Sequence, residues 1–206
     1  MRAPVLRMAT STQPPLPEGS QEVLDWARRK RMKFEPWPDQ SWFQAWEPFD
    51  TMVAAEAWFN AASWSLPHGT ATIAEPWHAP IDSEPVDRTV LLFVSHPGFV
   101  RRAAARGGEH FNTRVAYLEN PPMPTVKVGD PSWDEHMLTL AASPSEAAAA
   151  FPRSARQLLA SWRFNGHLEV RPGGMVVHFA GTRPIPAHLD RLVHAAAPLV
   201  QALAGR

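Results

Sequence analysis

The sequence predicts an α+β fold: a mostly antiparallel sheet, helices packed on one face, and an amphipathic helix near the C-terminus. Three features carry this reading. Residues 90–94 are apolar on both faces, as a central strand requires. Residues 168–171 and 175–180 flank Pro172-Gly173-Gly174, the pattern of a hairpin. Leu189, Leu192, Val193, Ala196, Leu199, Val200 and Leu203 recur at helical spacing. Nothing alternates regularly enough for a doubly wound parallel sheet.

The elements follow in order. Residues 1–19 read as a flexible Pro-rich tail, where Pro14, Pro15 and Pro17 favour extended backbone. One α+β domain is expected over 20–206. Ser20 is a candidate N-cap for a helix reaching about Met32. Glu22 and Asp25 suit its start, and Arg28, Arg29, Lys30, Arg31 and Lys33 suit its end. The part spanning 34–87 is Trp-rich and acidic. There, Asp50 is expected to cap a helix over 51–63, because Val53, Ala54, Ala57, Trp58 and Ala61 follow helical spacing.

A β-rich core is expected over 70–180, with strands at 70–77, 89–94, 113–119, 125–128 and 134–141. A short helix over 99–106, closed by Gly107 and Gly108, is expected between them. Ser143-Pro144-Ser145-Glu146 is a capping box with Pro at the first helical position. A further helix starts at Pro152 and presents Ala155, Leu158, Leu159 and Trp162 on one face. A two-residue Gly173-Gly174 loop in the hairpin would pair Val170 with Val177, Leu168 with Phe179, and Glu169 with His178. The first two pairs belong in the core, and the Glu169–His178 face belongs outside. The closing helix spans 187–204, with Pro198 inside it.

The chain has 206 residues and a mass of 22.9 kDa, enough for a sizeable core. Its 22 prolines favour short elements and ordered turns. It has no Cys, which excludes disulfides, thiolate zinc sites, iron–sulfur clusters and a Cys nucleophile. The strip 90–94 is too short to span a bilayer, and the first residues lack the apolar centre of a signal peptide. A cytoplasmic location is expected.

From Val128 onward, a Gly129-Asp130-Pro131 turn leads into Trp133-Asp134-Glu135-His136-Met137, then two helices, a hairpin and a closing helix. This order resembles the C-terminal part of uncharacterised bacterial domains that open on D-P-x-F-D-x-x-F. The resemblance covers residues 126–203, with Trp133 and Met137 at the two aromatic positions. It implies the fold and no activity.

None of the nine His residues falls in a recognised metal-ligand spacing, so no metal and no cofactor is expected. Ser95-His96 follows the most buried strand, where loops often carry function. A hydrolase-type reading would combine Ser95 and His96 with His110, Asp134 and His136. The Ser lacks the glycines of a nucleophile elbow, and no phosphate-binding loop occurs.

The charge layout is more informative. Twenty basic residues balance twenty acidic ones, yet 34–87 holds nine acids and no Lys or Arg. The same part holds ten of the chain's twenty aromatics, which suits a surface for a basic or amphipathic protein partner. Trp37, Asp39, Trp42, Trp46, Glu47 and Asp50 would form it. The leading reading is a non-enzymatic binding or accessory protein, with no nucleic-acid partner. Two other arrangements use the same aromatics: a core layer over the sheet, or the lining of an apolar ligand pocket.

Overall fold

In the computed structural model, which describes residues 16, 18–78, 88–108 and 123–205, nine strands join in one antiparallel sheet. The chain begins with α1 (Ser20–Arg29), β1 (Lys33–Glu35), α2 (Gln40–Gln44), β2 (Ala57–Leu66), β3 (Gly69–Trp77), β4 (Leu91–Ser95) and β5 (Ala103–Gly107). It continues with β6 (Thr125–Val126), α3 (Pro131–Asp134), β7 (Met137–Ala141), α4 (Pro144–Ala150) and α5 (Arg153–Ser161). It closes with β8 (Gly166–Arg171), β9 (Gly174–Phe179) and α6 (Pro186–Leu203). Across the sheet the order is β1-β2-β3-β4-β9-β8-β5-β7-β6. Most of the expected tail and the expected strand at 113–119 lie outside the described residues.

The α+β expectation holds, and both faces of the sheet are covered. Leu92, Val94, Leu168, Val170, Met175 and Val177 face the helices, meeting Val23 and Trp26 of α1, Leu159 of α5 and Leu189 of α6. On the other face, Leu91, Phe93, Val176 and Trp58 meet Phe43, Trp46, Phe49 and Met52. β4 lies between β3 and β9, which is why its residues are apolar on both sides. The Ser143 cap forms, its hydroxyl accepting the Glu146 N–H at 3.2 Å, while the Glu146 carboxylate accepts from Arg101 at 3.0 Å.

Several expectations fail for physical reasons. The expected helix over 51–63 is extended chain leading into β2. A bulge explains the false signal. Register slips by one residue between Phe59 and Ala62, with Asn60 at φ 51°. Trp58 and Ala61 therefore reach the same core, three residues apart, as they would on a helix. Asn tolerates this left-handed backbone better than most side chains. Its Nδ2 donates to Ser20 Oγ and Glu75 Oε1, each at 2.8 Å, and Arg88 clasps Glu75 at 2.7 and 2.8 Å. Ser20 is the first helical residue rather than the N-cap, which is Gly19.

The expected helix at 99–106 is instead β5, whose Ala103, Ala104 and Ala105 are fully buried between β8 and β7. Tertiary pairing overrides the helix preference of Ala there. Residues 131–134 form a helical turn, so β7 starts at Met137 rather than 134. The hairpin loop is Pro172-Gly173, because Arg171 pairs with Gly174. Val170 thus faces Met175, Leu168 faces Val177, and Glu169 faces Val176 instead of His178. The slip is even, so the core face is unchanged. The opposite face is buried too.

Glu169, at 0% exposure, is the reason the second face closes. Its carboxylate accepts the backbone N–H groups of Asp50 (2.8 Å) and Thr51 (2.7 Å), and the Thr51 hydroxyl at 3.0 Å. Arg171 Nη2 donates to it at 3.2 Å and to Pro48 O at 3.4 Å, and Arg171 Nη1 donates to the Trp46 carbonyl. Asp50 is buried and pairs with Arg102 at 2.8 Å. Desolvation pushes the Glu169 carboxyl up, opposed by its backbone donors. Along the edge of β2, the Gln40 amide accepts the Trp58 N–H at 2.7 Å and donates to the Trp58 carbonyl at 3.0 Å.

Replacing Glu169 by Ala strands two buried N–H groups and the Arg171 cation. Glu169→Ala is expected to lower unfolding free energy by about 3–5 kcal/mol. Urea titration followed by Trp fluorescence measures this, and a loss below about 1 kcal/mol would mean the clamp is not the fastening point.

Candidate functional site

Two surfaces stand out, one on each face of the sheet. The first is the aromatic segment. Asp39 caps α2, accepting from Ser41 N at 3.0 Å, and this sets a helix only five residues long. Phe43 is buried, stacked on Trp58 at 4.9 Å. Trp46 is 8% exposed, packs on Phe93 at 5.4 Å, and lies under the Arg171 guanidinium at 5.9 Å. A Cβ at Gly174 would come within 2.5 Å of the Trp46 ring, so only glycine leaves room for this packing.

Of the six residues assigned to a partner surface, Trp46 and Asp50 are therefore core. Trp37 packs on Phe59 at 4.7 Å, and Phe59 alternates with Trp58 along β2, which turns Trp37 toward the other side. Trp42 remains 37% exposed, with its ring edge-on to Phe43 (4.7 Å), Trp46 (5.8 Å) and Phe93 (5.6 Å). Asp39, near it in sequence, is exposed, and half-buried Glu47 accepts from Ala55 N at 3.2 Å. Burial lowers the His78 pKa, against the pull of Glu56 and Glu47.

The second surface is a groove of about 980 Å³ on the helix face, at the end of the sheet where β4 and β8 finish. The β2–β3 turn, the β4–β5 loop, the start of α5 and the last turns of α6 form its walls. Leu66, Phe99, Val170, Val200 and Leu203 make it apolar. His68, His96, Arg101 and Gln201 supply its polar groups. His96 Nδ1 accepts the Gly98 N–H at 3.0 Å, so the neutral ring carries its proton on Nε2. The His68 and His96 ring centroids are 6.4 Å apart.

The comparisons bear on the fold. No protein-family model matches the chain, and no curated protein matches it in sequence. Among solved structures, the crystal structure of the mycobacterial trehalose monomycolate transport factor A, TtfA, aligns with a TM-score of 0.58. The alignment covers 91% of this chain and 97% of that one, at 12% identity. The two chains share an architecture.

The residues assigned to a hydrolase do not converge. Ser95 and His96 lie where β4 ends, beside Gly174. Asp134 and His136 precede β7 at the opposite end of the sheet, since Ala103 pairs with Ala141 and Gly107 with Met137. The Asp134 carboxylate is engaged with the Val128 and Gly129 N–H groups, both at 2.9 Å. His136 lines a separate hollow of about 610 Å³ with Glu135 and Arg163. His110 lies outside the described residues. Among the described residues, no group of three or more His, Asp or Glu is placed to hold a metal ion. Nor is any helix there long and apolar enough to cross a membrane. Sequence reasoning found His96 from its place after the buried strand. It missed the groove, whose signal was spread over distant segments, and with it Arg101 and Gln201.

The histidines of α6 have local roles. His188 Nδ1 accepts the Arg183 N–H at 3.0 Å, and His194 Nδ1 lies 2.6 Å from the Asp190 carbonyl. The Asp190 carboxylate receives Lys30 Nζ at 2.8 Å and Trp26 Nε1 at 3.0 Å, joining α6 to α1. These two donors hold its pKa below the ordinary 3.8. A depressed carboxylate stabilises the fold above the unfolded pKa and stops doing so as pH falls through the folded one. In urea titrations at stepped pH, Asp190→Asn should be less stable than the wild type at pH ~7. The difference should shrink once the pH drops below 3.8. A difference constant over the acid range would refute this.

Proposed function

We propose that this chain is a non-enzymatic, cytoplasmic accessory protein that works by binding another protein. The observation that carries it is Trp42: a large ring left 37% exposed on top of a buried aromatic layer and held edge-on by three neighbouring rings. A ring fixed this way loses little entropy on contact, and Trp is enriched at binding hot spots. Asp39 and Glu47, near it in sequence, would steer a partner with a basic or amphipathic surface. Phe43, Trp46, Phe49 and Phe93 serve as the rigid base under this contact and do not touch the partner. A fold shared with a protein named as a transport factor is in keeping with an accessory role.

The test is affinity capture from host lysate by the wild-type and Trp42→Ala chains, with titration of the retained protein. The wild type is expected to bind one partner, more weakly at high salt. Trp42→Ala should weaken binding about 30-fold or more while circular dichroism stays native. Equal capture by both folded chains, or no partner at either salt, would overturn the reading.

A further inference from the structure

We propose that the groove at the end of α6 binds a single-chain alkyl carboxylate, with the tail on the apolar floor and the head group at the His68–His96–Arg101 rim. This goes beyond the protein-binding role and uses a different face of the sheet. The volume, about 980 Å³, lies at the upper end of the range in which pockets bury small ligands, roughly 300–1,000 Å³. Its floor is Phe99, Val170, Val200 and Leu203, and small residues such as Ala150 and Ala197 keep it open.

Charge decides the head group. None of the described residues lining the groove is Asp or Glu, whereas His68, His96 and Arg101 are all at its rim. His96 is held for the purpose. With Nδ1 occupied by the Gly98 N–H, the neutral ring has a donor at Nε2 and no second acceptor. Backbone at Gly69 and Gly98 flanks the ring so closely that a Cβ would fall 3.1 Å and 3.0 Å from its atoms. Phe99 packs edge-on at 5.9 Å. Arg101 bridges to Glu146 at 3.0 Å, but the two side chains are 48% and 39% exposed, and a partly exposed pair of this kind is weak enough for another anion to compete for the guanidinium. A ligand with an apolar body and one anionic, accepting head meets every wall of this groove.

The experiment is calorimetric titration of the full chain with decanoate and, as the uncharged control, decan-1-ol, both below the concentration at which they aggregate. Decanoate is expected to bind once per chain, about tenfold or more tighter than the alcohol. His68→Ala/His96→Ala should weaken decanoate and leave the alcohol unchanged, Arg101 keeping part of the preference for the acid. Gln201→Glu, an exposed change at the rim, should weaken decanoate and leave the alcohol unchanged. This second variant decides the matter if the double variant does not fold. Equal affinity for acid and alcohol in the wild type overturns the proposal, as does decanoate binding indifferent to Gln201→Glu, or no binding of either. Trp42→Ala should leave decanoate binding unaltered, which separates this result from failure of the protein-binding role.

Discussion

One buried carboxylate organises the second face of the sheet. Glu169 sits in the middle of β8 with no exposure, and a charge there is tolerable only with several donors around it. Two come from the backbone of Asp50 and Thr51, more than a hundred residues away in sequence. Recruiting them draws α2 and the segment after it down onto β4 and β9, where Phe43, Trp46, Phe49 and Met52 are buried. The polar and apolar terms depend on each other. Aromatic burial offsets the desolvation of the carboxylate, and the carboxylate fixes where the aromatics lie.

The β8–β9 turn links the two candidate surfaces. Gly173 O accepts from His96 N at 2.9 Å, and Gly173 N donates to Phe99 O at 2.8 Å, so the turn braces the loop that carries the groove's rim. One residue later, Gly174 receives the Trp46 ring on the opposite face. A short hairpin turn therefore supports a polar-rimmed groove on one side and an aromatic platform on the other. Both surfaces are braced by backbone geometry at adjacent glycines.

Much of the fold was legible because its signals are local. The interior strand β4, the Ser143 cap, the hairpin and α6 each announce themselves within a few residues. What was hidden depends on contacts between distant parts. The Asn60 bulge disguised β2 as a helix, and pairing on both sides turned the alanines of β5 into a strand. The aromatic segment was visible as composition, but its inward and outward residues are sorted by Glu169, which no local pattern near Trp46 reveals. The groove draws on five separated segments, so only His96 pointed toward it.

The edges of the sheet are short. Among the described residues the outermost strands have three and two residues, and beyond β1 the Gln40 amide occupies both hydrogen-bonding groups of Trp58. A side chain here does the work of a missing neighbour strand. Among the described residues, short outer strands of this kind offer an incoming chain only a short template to extend. A short edge gives an extended peptide few backbone groups to pair with, whereas a face offers shape and charge.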